Sequence, residues 1–512
     1  MSSASPTGGP ARQERAPVCI IPGRGFSSAP RQQRPVLSSH EKALQINLDT
    51  STYGAFAEIG AGQEVARWFF QVGGASGTIA KTISAYDMTV SDAIYGPSER
   101  YVSRQRLDRM LAYEYDLQYE RLCAKRGPTS RFFVFADTVA ARSFSRHDDW
   151  HGWMGIRFQT RPLAPASAII IHVQMHDREN IQQQEALGIM GVNLVYAALF
   201  LHDQPETLLD SLMDNLSSER VEVDTVKFSG PDFDHVDNRL MALELVRRGL
   251  TNAAMFTANG EVVQAAEVLY KKSILVERGT FRPVTRATVD MLSCAHTRFL
   301  EEPQVRDEKV VVLMEMTLKN LAEDGVINHQ DFLDRVDTLG SLGQTVLISN
   351  YGEFHRLAGY LFRYTKKMIG LVLGAPTLHE IFDEKYYTDL EGGILESFGR
   401  LFKNDLKLYV YPFRDPATGA LMTADNLGVA PHLRHLLAYL LEKSFIKDLV
   451  RYDPSCLPIF AHDVAERIKA GDPTWEHMVP PQVAQMIKVR KLFGYRSDLP
   501  TPAPDPGVDA GR

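Results

Sequence analysis

The stretch Phe56-Ala57-Glu58-Ile59-Gly60-Ala61-Gly62-Gln63-Glu64 runs directly into Val65-Ala66-Arg67-Trp68-Phe69-Phe70 and then a second glycine cluster, Gly73-Gly74-Ala75-Ser76-Gly77-Thr78. A short apolar run that breaks into glycines and then into a helix is how α/β proteins build backbone-lined ligand sites. A dinucleotide loop needs G-x-G-x-x-G, but Val65 stands three residues after Gly62. A phosphate loop of the Walker type needs a lysine directly after its second glycine, whereas Thr78 follows Gly77 and Lys81 comes later. Glu58-x-Gly60-x-Gly62 matches the front of a methyltransferase-like nucleoside loop without its third glycine. The alternative is a tight strand-to-helix turn whose glycines supply positive φ.

Outward from this stretch, short β-branched runs alternate with longer segments of helical period. Phe132–Ala136, Ala168–Val173, Val221–Val226, Asn252–Phe256 and Ser273–Val276 read as strands, and Arg100–Lys125 and Glu179–Phe200 as helices. Further on, Lys309–Leu321 reads as an apolar helix, and Thr345–Ile348, Ile369–Leu373 and Leu406–Val410 as strands. The pattern predicts an α/β fold: layered, mostly parallel sheets with flanking helices in two α/β units. The charged, Pro-containing link Glu301–Arg306 places the boundary between a main domain, 38–303, and a second, 304–498. Pro, Gly, Ser and Arg enrichment over 1–37, and Pro, Asp and Gly enrichment over 499–512, predict disordered tails.

Composition narrows the class. With 56 basic and 63 acidic residues mixed along 512, a net charge of -7 argues against a nucleic-acid partner, which calls for a basic domain or stripe. Cys19, Cys123, Cys294 and Cys456 lie far apart, which suits a reducing compartment better than a disulfide framework. The greasiest segment, Ala186–Leu201, is broken by Gly188, Gly191 and Asn193, so no membrane partner is expected either. The expected location is cytoplasmic and the expected state soluble.

Polar residues massed at strand ends supply the candidate chemistry. Past Val221–Val226 come Lys227, Asp232, Asp234 and Asp237, at the position where open α/β sheets hold ligands. Lys271 and Lys272 before one strand and Arg278 after it suit phosphate or carboxylate, though charges flanking a strand also protect edges from pairing. Asp137, after Phe132–Ala136, adds an acid at a strand end, with a plain turn as the alternative. His147 and His151, four apart among acids in Arg146–Trp153, would share a helix face and a metal, but Gly152 and the tryptophans favour a loop.

Lys42-Ala-Leu-Gln-Ile-Asn-Leu-Asp49, the run Tyr53–Gly96 with Ser84-Ala-Tyr-Asp-Met-Thr-Val-Ser-Asp92, and Leu269–Thr285 together resemble a family of uncharacterised bacterial proteins over nearly everything between the tails. Two labels circulate in that family. Nicotinate-nucleotide adenylyltransferase implies nucleotidyl transfer in NAD metabolism, yet the H-x-G-H motif that holds ATP phosphates in such enzymes is absent. TonB-dependent receptor implies about twenty membrane strands of alternating polarity, against the helical periods here.

The leading expectation is a cytoplasmic enzyme, a transferase or hydrolase, that binds a nucleotide or another phosphorylated, anionic small molecule. Glu58, Gly60, Gly62, Gly74 and Gly77 would shape the loop, and Lys227, Lys271, Lys272 and Arg278 would contact the anion. Asp137, Asp232, Asp234 or Asp237 would serve as general base or ligand of Mg²⁺. If so, the Glu58 loop should face Asp137, Lys227–Arg239 and Lys271 across one pocket. The competing expectation is a non-catalytic binding or scaffold protein whose glycine loops are only tight turns.

Overall fold

A computed structural model describes residues 34–496 apart from 61, 141–149 and 324; both expected tails lie mostly or wholly outside the described residues, as does His147. The chain forms an α/β fold around two large sheets.

The first sheet holds β1 (Thr52–Gly60), β2 (Ile79–Ser84), β3 (Arg131–Ala140), β4 (His151–Phe158), β5 (Ser167–Met175) and β6 (Val221–Ser229), in the order β2-β1-β3-β4-β5-β6. β2, β1 and β3 are parallel, and β3 to β6 pair antiparallel. One face packs on α1 (Ser39–Leu48), α2 (Val65–Gln71) and α5 (Asn180–Phe200), burying Phe56, Phe133, Met154 and Ile171. The other packs on α3 (Met88–Tyr95) and α4 (Arg104–Arg126), burying Ala57, Val134, Trp153 and Ile170. α1 opens with a capping box between Ser38 and Glu41, which satisfies two otherwise unpaired amides. Its buried Lys42 reaches Asn193 Oδ1 and Asp214 Oδ2, each at 2.7 Å, and so ties α1 to α5 and the turn after α6 (Pro205–Leu212). α7 (Asn238–Arg247) leads into the second unit.

The second sheet holds β7 (Ala253–Phe256), β8 (Val262–Val263), β9 (Ser273–Arg278), β10 (Val310–Thr317), β13 (Thr345–Ser349), β14 (Ile369–Gly374), β15 (Leu406–Tyr411) and β18 (Ile446–Asp448), with two small hairpins, β11 with β12 (Ala322–Glu323, Val326–Ile327) and β16 with β17 (Phe413–Arg414, Leu421–Met422), outside it. Its order is β18-β15-β14-β9-β10-β13-β7-β8, and the six strands from β18 to β13 are parallel. The chain builds outward from β9 through β10 to β13, then returns to β9's other side for β14, β15 and β18. This is the doubly wound arrangement, whose order reverses between β9 and β14.

Three expectations are corrected. Lys309–Leu321 is not one helix: it is β10 followed by the single turn Leu318–Leu321. A strand buried on both faces shows an unbroken apolar run, and periodicity cannot tell that from a buried helix. His151–Trp153 is no loop but the start of β4, where Gly152 sits under Val139 and Trp153 faces the core. The link 301–306 lies within the second unit, between α9 (Arg286–Leu300) and β10, and the two sheets divide the chain near residue 250.

Candidate functional site

Parallel pairing sets Ser84 of β2, Glu58 of β1 and Asp137 of β3 in one row near the C-terminal ends of their strands. Side chains in register on neighbouring strands share a face, with backbones about 4.8 Å apart. Along the row burial deepens, from exposed Ser84 through Glu58 at 4% to Asp137 at 0%.

Glu58 points at the start of α2, where its Oε1 accepts from Val65 N at 2.8 Å and its Oε2 from Ala66 N at 3.3 Å. It thus does the work of a side-chain cap that Glu64, at the cap position, does not perform. Burial nonetheless pushes the Glu58 carboxyl up to about 7, against the pull of those two amides and with help from the Glu64 charge. Neither oxygen of Asp137 has a hydrogen-bond partner. Burial raises Asp137 well above the carboxylate range and the Glu58 charge raises it further, while the Ile59 N–H, outside bonding geometry, offsets only part of this. Both carboxyls thus hold their protons to higher pH than ordinary carboxylates, and Asp137 the more firmly, because Glu58 has amides to stabilise an anion and Asp137 has no hydrogen-bond partner.

The glycines of the opening stretch make this pair fit. A Cβ on Gly62 would stand 2.3 Å from Asp137 Oδ1, so only glycine lets the loop pass over that carboxyl. Gly60 has φ +78°, and a Cβ there would meet the Val139 carbonyl at 2.4 Å. Beside the pair lies a cleft of about 440 Å³ lined by Glu58, Gln63, Ala66, Arg67, Phe70, Gln71, Thr82, Ile83 and Ser84. Phe70 is 55% exposed. Arg67 reaches Glu64 at 3.1 Å with its own side chain mostly in solvent.

The structure therefore brings Glu58, Gly60, Gly62 and Asp137 together, and places the other predicted residues elsewhere. Gly74, with φ +76°, turns the chain after α2 against Asn47, and Gly77 borders open space. Lys227 lies 3.7 Å from Glu261. Asp232 accepts from Thr160 Oγ1 at 3.0 Å and Ser167 Oγ at 2.6 Å, Asp234 is exposed, and Asp237 caps α7 while pairing with Arg239. Lys271 is exposed over the Tyr270 ring, and Lys272 immediately precedes β9. Arg278 closes that strand, about 20 Å away by strand rise. It donates to both oxygens of Glu315, whose Oε1 also accepts from Ser349 Oγ at 2.6 Å. The single expected pocket is thus corrected: β1 and β9 belong to different sheets, and both lysines sit at the wrong end of β9.

Arg67, Phe70, Thr82 and Ser84 were missed from the sequence as cleft residues. Arg67 and Phe70 carried a signal, being one helical turn apart just after the glycine loop. Ser84 carried none, because its alignment with Glu58 depends on the β1–β2 register.

No protein-family model and no curated protein matches the chain. Among solved structures it is similar to the competence/damage inducible protein CihA from Agrobacterium tumefaciens, at 15% identity and TM-score 0.21, covering 30% of this chain and 88% of that one. It is also similar to a competence-damaged protein (CinA) superfamily protein from Enterobacter cloacae, at 10% identity and TM-score 0.23, covering 32% and 94%. Likenesses of this degree carry no argument about what the chain binds. Among the described residues, no helix is long and apolar enough to cross a membrane, and no three or more His, Cys, Asp or Glu are grouped to hold a metal ion.

Proposed function

We propose that the six-stranded unit is the catalytic part of a cytoplasmic transferase or hydrolase, and that its cleft takes a phosphorylated small molecule of nucleotide size. The observation that supports this most is the Glu58–Asp137 pair: a buried, unpartnered carboxyl coupled to a second one that borders a cleft is costly in a purely structural role. Glu58, raised to about 7, is poised to accept a proton from an attacking hydroxyl or water and return it to a leaving group. Burial and the Glu64 charge keep Glu58 from being an ordinary carboxylate, and its own charge in turn raises Asp137. Arg67 offers a fork for phosphate, and Phe70 a ring face for a base or sugar. The cleft lies within the usual ligand-pocket range of roughly 300–1,000 Å³. A Mg²⁺ ion arriving with a phosphorylated ligand needs only one or two protein carboxylates, and Glu58 is the residue that would supply one.

The second reading, a binding or scaffold protein without turnover, draws on the dispersal of Lys227, Lys271, Lys272 and Arg278 away from the cleft. Thermal-shift measurements with nucleotides and sugar phosphates, with and without Mg²⁺, test ligand binding. A stabilising shift in the wild type that disappears in Arg67→Ala is expected, and no shift with any compound defeats the proposal. With a hit in hand, product formation lost in Glu58→Gln while binding persists separates the enzyme from the scaffold.

A further inference from the structure

Gly188 and Gly191, which interrupt the apolar run of α5, set the place where that helix packs against α2. A Cβ on Gly191 would stand 2.3 Å from Val65 Cγ2, and one on Gly188 would stand 2.9 Å from Trp68 Nε1 and 3.1 Å from Glu64 Cβ. The absence of side chains at these two positions lets the helices approach closely. It also seats the Trp68 indole against the core while leaving that residue only half-buried.

Toward the start of α5 the same two helices leave a groove of about 450 Å³. Its lining is Trp68 and Gln71 of α2 together with Ile181, Gln182 and Gln184 of α5, and the charged side chains Glu64, Arg67 and Glu185 stand around it. This volume is within the range of ligand pockets, roughly 300–1,000 Å³.

The charged groups are already engaged. Glu64 Oε2 lies 3.1 Å from Arg67 Nη1, and Glu185 Oε2 lies 3.0 Å from Arg220 Nη2. Two carboxylates against one guanidinium in the lining disfavour an anion. The amides of Gln71, Gln182 and Gln184 are free by contrast, since none of these side chains has a hydrogen-bond partner among the described residues. Each offers one acceptor oxygen and two donor hydrogens, so together they suit a neutral ligand that both gives and accepts hydrogen bonds. Trp68 and Ile181, the latter 75% exposed, place apolar surface at the same spot.

A sugar ring meets both demands, because its hydroxyls lie around the rim and its axial C–H bonds make a flat apolar face that packs on an indole. We propose that the groove between α2 and α5 is a binding site for an uncharged hexose ring, with one C–H face on Trp68 and hydroxyls on the amides of Gln71, Gln182 and Gln184. The site requires no turnover and does not depend on the carboxyl pair. Arg67 and Gln71 lie on the exposed ridge of α2 and border the groove and the Glu58 cleft alike, whereas Trp68, Gln182 and Gln184 border the groove and not the cleft.

Saturation-transfer difference NMR on the full-length protein tests this, with methyl β-D-glucopyranoside, N-acetyl-D-glucosamine and maltose as probes. At least one should receive saturation at its ring C–H protons and bind with Kd on the order of 1 mM, which a few net hydrogen bonds and one packed ring can supply. Gln182→Ala and Gln184→Ala should keep the wild-type urea transition and each weaken binding about tenfold, while Gln304→Ala, exposed in the second unit, should bind as wild type does. The change in tryptophan fluorescence on binding should be missing in Trp68→Phe. No saturation of any of the three sugars, or binding that survives both glutamine substitutions unweakened, overturns the site. Nucleotide thermal shifts read the Glu58 cleft and should persist in Gln184→Ala, so the two proposals fail separately.

Discussion

Glu58→Gln turns the carboxyl pair into a measurable pH dependence. A carboxyl whose pKa is higher folded than unfolded binds more protons when folded, so it destabilises the fold as pH rises from the unfolded value through the folded one. For Glu58 that window runs from 4.5 to about 7, and at ~1.4 kcal/mol per pH unit the full penalty above it is about 3 kcal/mol. Glutamine resembles the protonated acid at every pH and escapes the penalty. It keeps one acceptor for Val65 N–H but turns an amide NH₂ toward Ala66 N–H or loses that bond, a cost of about 1 kcal/mol. The variant should therefore be less stable than wild type by about 1 kcal/mol near pH 4.5 and more stable by about 2 kcal/mol above pH 7.5, with the curves crossing between. Urea unfolding followed by tryptophan fluorescence reads the right unit, since Trp68, Trp150 and Trp153 belong to the six-stranded unit and only Trp475 to the other. A stability difference that stays flat between pH 4.5 and 8, or that falls as pH rises, would refute the raised Glu58 carboxyl.

Gly62→Ala should cost about 1–3 kcal/mol and abolish ligand binding, because the added methyl overlaps Asp137 Oδ1, and Gly62→Ala with Asp137→Ala should recover most of the stability; a single variant as stable as wild type would show that the loop does not press on Asp137. Among the described residues, Lys42→Met leaves buried Asp214 with only Arg34 as a charged partner and should lower the stability of the six-stranded unit by about 3–5 kcal/mol, read from the same urea transition. Arg278→Met strands Glu315 beneath the second sheet, so a similar loss of about 3–5 kcal/mol should appear in the Trp475 environment while nucleotide thermal shifts persist. If those shifts vanish instead, Arg278 belongs to the ligand site.

Which features were legible follows from the range of the interactions that set them. β3, β5, β6, β7, β9, β13, β14 and β15 fall on predicted runs because a covered strand declares itself locally, through β-branched and aromatic residues bounded by turns. β10 fails the same rule, since Val310–Thr317 is apolar enough on both faces to imitate a helix. The site is harder to read, and the reason differs from residue to residue. Gly60 and Gly62 were visible as glycines, but the need for them lies in Val139 and Asp137, more than seventy residues away, and appears only when β1 pairs with β3. Lys271, Lys272 and Arg278 looked like one anion-binding group because they are close in sequence, yet a strand separates its two ends by its full length, so nearness along β9 guarantees distance in space. Asp224 is the extreme case. Its position within Val221–Val226 suggests one residue of a regular strand, but one residue of register slip at a bulge between β5 and β6 decides whether it meets solvent or His172. Residue identity can thus nominate a carboxylate, while its role here comes from pairing partners that no local pattern encodes. That is why the predicted acids divide as they do: Asp137, placed by parallel register beside Glu58, carries the proposed chemistry, whereas Asp232 and Asp237 satisfy Thr160, Ser167 and the first turn of α7.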